Sequence, residues 1–121
     1  MTYPDSFDHM LAAWNEQDSK KIRQHLNKAL AEDVHFIDPD SNVRGIDAFE
    51  SMIHKVNKRI PDAVYSRISK VDTHHNMYRY HWAIHVDKKL LIQGFDVVEI
   101  NEADKVKRVI GFFGDLTADL P

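Results

Sequence analysis

Apolar side chains recur every three to four residues in the first half of this chain and every second residue in the second half. Phe7, Met10, Leu11 and Trp14 fall at i, i+3, i+4 and i+7, which puts one apolar stripe on a helix beginning near Pro4. The polar run Asn15 to Asp18 ends it. Asp18 or Ser19 is then placed to cap a second helix that buries Ile22, Leu26 and Leu30. A short strand, Val34-His35-Phe36-Ile37-Asp38, follows and stops at Pro39, and Pro39-Asp40-Ser41-Asn42 reads as a polar turn. A third helix starts near Gly45 and buries Ile46, Phe49, Ile53 and Val56. Pro61 ends it, because its ring lacks an N–H and disfavours the helical conformation of the preceding residue.

Beyond Pro61 the alternation predicts four strands, Val64 to Val71, Met77 to Val86, Leu90 to Ile100 and Lys105 to Phe113. The links His74-His75-Asn76, Asp87-Lys88-Lys89 and Asn101 to Asp104 have lengths that suit antiparallel hairpins. Helices first and a meander afterwards make an α+β domain, with three N-terminal helices packed on one face of a curved, mostly antiparallel sheet. No repeat, linker or low-complexity stretch divides it, so residues 1–121 read as one domain.

Parity assigns faces. Tyr78, Tyr80, Trp82, Ile84 and Val86 share one side of their strand, and Arg79, His81, Ala83, His85 and Asp87 the other. The first set is aromatic and suits a core or a pocket wall. On the outer side, Leu91, Gln93, Phe95, Val97 and Glu99 of the next strand are apolar enough to predict a homodimer through that sheet face. A single-sided sheet with scattered exposed apolar residues is the alternative.

Composition narrows the partners. Sixteen basic against nineteen acidic side chains give a formal charge of −3, and Lys20-Lys21, Lys88-Lys89 and Lys105 to Arg108 are small scattered groups. That balance argues against nucleic acid as a partner. The absence of cysteine removes disulfides, thiolate catalysis and sulfur-ligated metals. Met-Thr-Tyr-Pro-Asp lacks a basic segment leading into an apolar one, and no apolar run approaches membrane length, so the expectation is a cytoplasmic protein without a membrane partner.

Two aspartates stand out because the strand pattern aims them inward. Asp38 ends the first strand on the face of Val34 and Phe36, and Asp96 lies mid-strand on the face of Ile92, Val98 and Ile100. A carboxylate on an apolar face is costly to ionise, so it neutralises, pairs or does chemistry. For Asp38 an ordinary turn after Pro39, with backbone N–H groups on its carboxylate, is an equal alternative to catalysis. Asp96 has no turn to serve. An apolar wall of Trp14, Tyr80, Trp82, Val98, Val109 and Phe113 would raise the pKa of the drier acid, giving one donor and one base. Tyr65, Tyr78 and Tyr80 are further hydrogen-bond donors, Tyr80 the best placed.

Eight histidines raise the question of a metal, and their spacing answers against one. His81 and His85 share a face but stand roughly 13 Å apart at about 3.3 Å per residue. His74 and His75 are expected to point apart in a turn, His35 projects away from the face of Asp38, and His9, His25 and His54 lie on separate helices. Only His54 could tilt into a pocket mouth. No Gly-x-Ser-x-Gly turn or glycine-rich phosphate cradle is present, so neither cofactor nor metal is expected.

The order of these segments resembles the nuclear transport factor 2-like superfamily, and within it the SnoaL-like group of ketosteroid isomerase and polyketide cyclase type. The resemblance rests on Trp14-Asn15-Glu16-Gln17-Asp18, Glu32-Asp33-Val34 running into Asp38-Pro39, Arg79-Tyr80-His81-Trp82, Gly94-Phe95-Asp96-Val97-Val98-Glu99 and Val109-Ile110-Gly111-Phe112-Phe113. It implies a cone-shaped domain with a pocket between the concave sheet and the helices. In ketosteroid isomerases of this fold an aspartate at the end of the first strand removes a proton alpha to a carbonyl, while a protonated late-strand aspartate and a helix-one tyrosine hold the oxyanion. Asp38 and Asp96 match the two aspartates. The tyrosine does not carry over, since Met10 or a neighbour occupies its position, and the helix-three position near Ile53 is apolar as well.

The reading is a protein that binds a small, mostly apolar organic molecule. Asp38 and Asp96 are its candidate catalytic residues for a cofactor-independent isomerase, cyclase or dehydratase. Met10, Trp14, Ile53, His54 and Tyr80 are candidate ligand contacts, with Trp82, Val98, Val109 and Phe113. A non-catalytic ligand-binding domain and a protein-interaction module are the alternatives.

Overall fold

Helix α1, Asp5–Asn15, begins directly after Pro4, whose φ of −64° suits the residue ahead of a helix. It buries Phe7, Met10 and Ala13 and leaves Trp14 half-buried at its C-terminal end. The structure is a computed structural model and describes residues 2–116. Helix α2, Ile22–Ala29, starts later than its sequence signals predict, at Lys21, with no side-chain cap among the described residues. Asp18 instead closes a turn ahead of the helix, its carboxylate accepting from the Lys20 N–H at 3.0 Å and its carbonyl from the Lys21 N–H at 2.9 Å. At the other end Lys105 Nζ donates to the Lys28 carbonyl at 2.7 Å, satisfying an acceptor the helix itself cannot.

Leu30 belongs to strand β1, Leu30–Ile37, rather than to α2. The strand begins four residues before the predicted one because Leu30 and Ala31 are both buried and its pairing shifts between Leu30 and His35, which hides the alternation. Strand β2, Asn42–Arg44, occupies part of the predicted turn and pairs Val43 with Phe36. Helix α3, Ile46–Arg59, buries Phe49, Met52 and Ile53, while Val56 is only half-buried.

The remaining strands are β3 (Val64–Arg67), β4 (Asp72–His74), β5 (Met77–Val86), β6 (Lys89–Ile100) and β7 (Val106–Phe113). The strand predicted over Val64 to Val71 therefore stops at Arg67, and β4 is an additional short strand beyond it; both pair with β5. The Ser69 hydroxyl accepts the His81 N–H at 2.8 Å where a ladder carbonyl would otherwise stand, and the chain leaves the sheet there. His74 closes β4, and His74 and His75 bring their Nδ1 atoms to 3.1 Å instead of pointing apart, because His75 takes a φ of +53°.

The sheet order is β2-β1-β7-β6-β5-β3, parallel only between β1 and β7. All three helices pack on one face of this curved sheet. Phe7, Leu26, Phe49 and Ile53 from the helices meet Val34, Val98, Val106 and Val109 from the strands in one core. That core fills one end of the layer between helices and sheet, and the other end stays open.

Candidate functional site

The open end is a cavity of about 170 Å³ between α1, α3 and the inner sheet face. Apolar side chains make most of its wall, among them Met10, Trp14, Phe36, Met52, Ile92 and Phe113. Asp38, Asp40 and Asp96 line it together with Arg59 and Arg67, and Asp38 and Asp96 approach from opposite sides of β7.

Two glycines create the space in which they meet. Gly111 pairs with Asp96, and a Cβ there would lie 3.0 Å from Asp96 Oδ1 and 3.3 Å from Asp38 Cβ. Both side chains thus flank one point on the cavity floor. Gly94 pairs with Trp82, and a Cβ there would lie 2.7 Å from the indole and 2.1 Å from the Phe112 carbonyl. The missing side chain lets the indole lie across β6, which carries its Nε1 to 3.0 Å from Asp96 Oδ1.

Asp96 accepts that indole N–H on one oxygen and the Tyr80 hydroxyl, at 3.3 Å, on the other. It is half-buried and lines the cavity. Burial raises its pKa from 3.8 to about 7, opposed by the Trp82 and Tyr80 hydrogen bonds and assisted by the charge of Asp38. Since an indole N–H can only donate, Oδ1 is held as an acceptor and the proton of the neutral acid rides on Oδ2. The Tyr80 ring is fixed in turn by Arg67, whose guanidinium lies 4.6 Å from the Tyr3 ring centre and 5.7 Å from that of Tyr80. Arg67 also donates to the Tyr3 hydroxyl and to Asp8, both at 2.7 Å.

Asp38 sits at the end of β1 and combines both of its predicted environments. Its Oδ1 accepts the Asp40 N–H at 2.9 Å and the Ser41 N–H at 2.8 Å, the turn expected after Pro39. Both side-chain hydrogen bonds fall on that one oxygen, and the carboxyl still lines the cavity. Burial raises its pKa, while the two amide N–H groups pull the other way. Asp96 can therefore keep its proton near neutral pH, beside an Asp38 whose two amide hydrogen bonds favour its ionised form.

Of the predicted contacts, Met10, Trp14, Tyr80, Trp82 and Phe113 line the cavity. Ile53, Val98 and Val109 do not: they are essentially inaccessible and belong to the core at the filled end. His54 does not either, because its Nε2 pairs with Glu50 Oε2 at 3.3 Å, within a helix-surface group that includes Arg23. Parity reports which face a residue takes, not how far along the strand the open space begins. Arg67 and Gly111 were not anticipated. An arginine two residues after Tyr65 has the same inward parity that singled out Asp96. Gly111 could be recognised only once its partner across the sheet was known. Among the described residues no group of three or more His, Cys, Asp or Glu side chains is placed to hold a metal ion, and no helix is long and apolar enough to cross a membrane.

The sequence matches no protein-family model and no curated protein. Solved structures are similar. A candidate isomerase of the SnoaL-like family from Agrobacterium tumefaciens is 28% identical, with a TM-score of 0.86 over 91% of this chain and 95% of that one. A nuclear transport factor 2-like protein from an Exiguobacterium species is 15% identical, with a TM-score of 0.74 over 92% and 99%. A candidate polyketide cyclase from Sinorhizobium meliloti is 12% identical, with a TM-score of 0.70 over 89% and 94%. The last two similarities concern the fold alone.

Proposed function

We propose that this chain, a nuclear transport factor 2-like cone with SnoaL-like structural neighbours, binds a small, mostly apolar carbonyl compound and moves a proton on it. The supporting observation is the Asp96 carboxyl, buried in an apolar cavity wall beside a second carboxyl. The isomerase description of the neighbour from Agrobacterium tumefaciens agrees with that reaction class.

In this reading Asp38 is the base. Its Oδ2 takes a proton from the carbon alpha to the carbonyl, the electron pair of that C–H bond forms the new C=C bond, and the carbonyl π pair moves onto the oxygen. Asp96, neutral, donates its Oδ2–H to the developing enolate oxygen, which is most strongly bound when its charge is greatest. Return of the proton from Asp38 to the same or another carbon completes an exchange or an isomerisation. Trp82 and Tyr80 keep Asp96 oriented, and the apolar wall limits competing water. Met10 or a neighbour stands where a helix-one tyrosine would serve in ketosteroid isomerases, so Asp96 carries the oxyanion without that second donor.

Proton exchange tests this without knowledge of the natural substrate. 1-Tetralone in deuterated water should lose its alpha-proton NMR signals faster with the protein than without it. Asp38→Asn should abolish the enhancement while leaving ketone binding within about threefold, since one hydrogen-bonded carboxylate is replaced by a neutral isostere. Binding without any exchange would leave a ligand-binding domain and remove the catalytic part of the reading.

The outer sheet face favours a homodimer. Phe95 and Phe112 stack there with centroids 5.2 Å apart, and Phe112 and Leu91 are 53% and 54% exposed.

A further inference from the structure

Among the described residues, one buried side-chain polar atom has no hydrogen-bond partner: the Tyr65 hydroxyl. Such an atom carries a free-energy penalty comparable to a lost hydrogen bond, so native structures rarely leave one without a use. Tyr65 lines the same cavity as the carboxyl pair. Its position is firmly built. The Asn15 side chain clamps the Tyr65 backbone with two hydrogen bonds, giving its amide N–H to the carbonyl and accepting the backbone N–H, each at 2.8 Å. The ring packs on Trp14 with centroids 5.1 Å apart. Burial lifts its pKa to about 12, so it is a neutral donor at physiological pH.

The hydroxyls of Tyr80 and Tyr3 are engaged: Tyr80 donates to Asp96, and Tyr3 accepts from Arg67. Tyr65 is also well removed from Asp96 along the sheet. It pairs with Ile84 on β5, whereas Asp96 pairs with Tyr80, four residues away. At about 3.3 Å per residue those rows lie roughly 13 Å apart.

We infer that Tyr65 is a specificity-determining donor that selects ligands bearing a second hydrogen-bond-accepting oxygen, at the end of the apolar frame remote from the group held by Asp96. The inference rests on the small-molecule reading above and narrows it to compounds with two separated oxygens. A compound with a single carbonyl satisfies the carboxyl end and leaves the Tyr65 hydroxyl buried and unpaired.

Two ketones that differ by one atom test it: 6-methoxy-1-tetralone and 6-ethyl-1-tetralone, titrated against tryptophan fluorescence with the intact protein and with Tyr65→Phe. The methoxy-over-ethyl affinity ratio should be about fivefold higher for the wild type than for Tyr65→Phe, the yield of one neutral hydrogen bond. The Tm of Tyr65→Phe should equal or exceed that of the wild type, because no protein hydrogen bond is lost. Equal ratios in the two proteins, with the ketones still binding, overturn the role of Tyr65 and leave the small-molecule reading standing. Failure of both ketones to bind the wild type overturns that reading and this inference together. A lowered Tm with equal ratios identifies a structural tyrosine and overturns the inference as well.

Discussion

Asp96 couples the site to stability. Its pKa is 3.8 as an ordinary aspartate and about 7 in the folded protein, so between those values the folded state holds a proton that the unfolded state has released. Stability therefore falls as pH rises from about 4 to about 7 and levels off above, by about 4 kcal/mol in all. Asp96→Asn, which can still accept from the Trp82 indole, should flatten that slope and have the higher Tm at pH 8, as thermal melts across the range will show. Trp82→Phe removes a hydrogen bond that favours the ionised form, so the Asp96 midpoint should move further up; carboxyl-carbon NMR titration of the variant reads this directly. The inward aspartate was legible from strand parity alone. That Tyr80 would be spent on Asp96 while Tyr65 stayed unpaired was not, because a hydrogen-bond inventory exists only in three dimensions.

At the scale of elements, the site depends on how closely strands β5, β6 and β7 approach. Gly94→Ala would put a methyl group 2.1 Å from the Phe112 carbonyl, a clash with backbone that can be relieved only by moving β7. It should cost upward of about 3 kcal/mol in denaturant unfolding. Asn15→Ala breaks the two-bond clamp between α1 and β3 and should cost about 1–3 kcal/mol by the same measurement. The elements themselves were largely readable, since the periodicity switches from 3.6 to 2 at Pro61. The misreadings have local causes. Asn42-Val43-Arg44 is too short to show a period, Leu30 and Ala31 bury consecutive positions, and Ser69 ends β3 through a side chain rather than a turn sequence.

For the whole molecule, helices cover one sheet face and leave the other with an exposed aromatic stack. If two copies meet there, Phe95→Glu should give a monomer by light scattering while leaving the cavity intact; an unchanged mass would assign that face to solvent. The outward parity of Phe95 was plain in the sequence, whereas Phe112 joined it only through the pairing of β6 with β7. Cone depth was the least legible property. Val98 and Val109 have the inward strand parity of a pocket wall and Ile53 lies on the inward face of α3, yet all three are sealed in the core.

The proposed ligand site turns on Asp96 as its buried acid, and the titration of that carboxyl reads the role itself. Carboxyl-carbon NMR of Asp96 from pH 4 to 9 should give a midpoint near 7 in the free protein. Saturating 1-tetralone should raise it, because a carbonyl oxygen accepts a hydrogen bond only from the neutral acid. A midpoint near 4, unmoved by the ketone, would contradict the account.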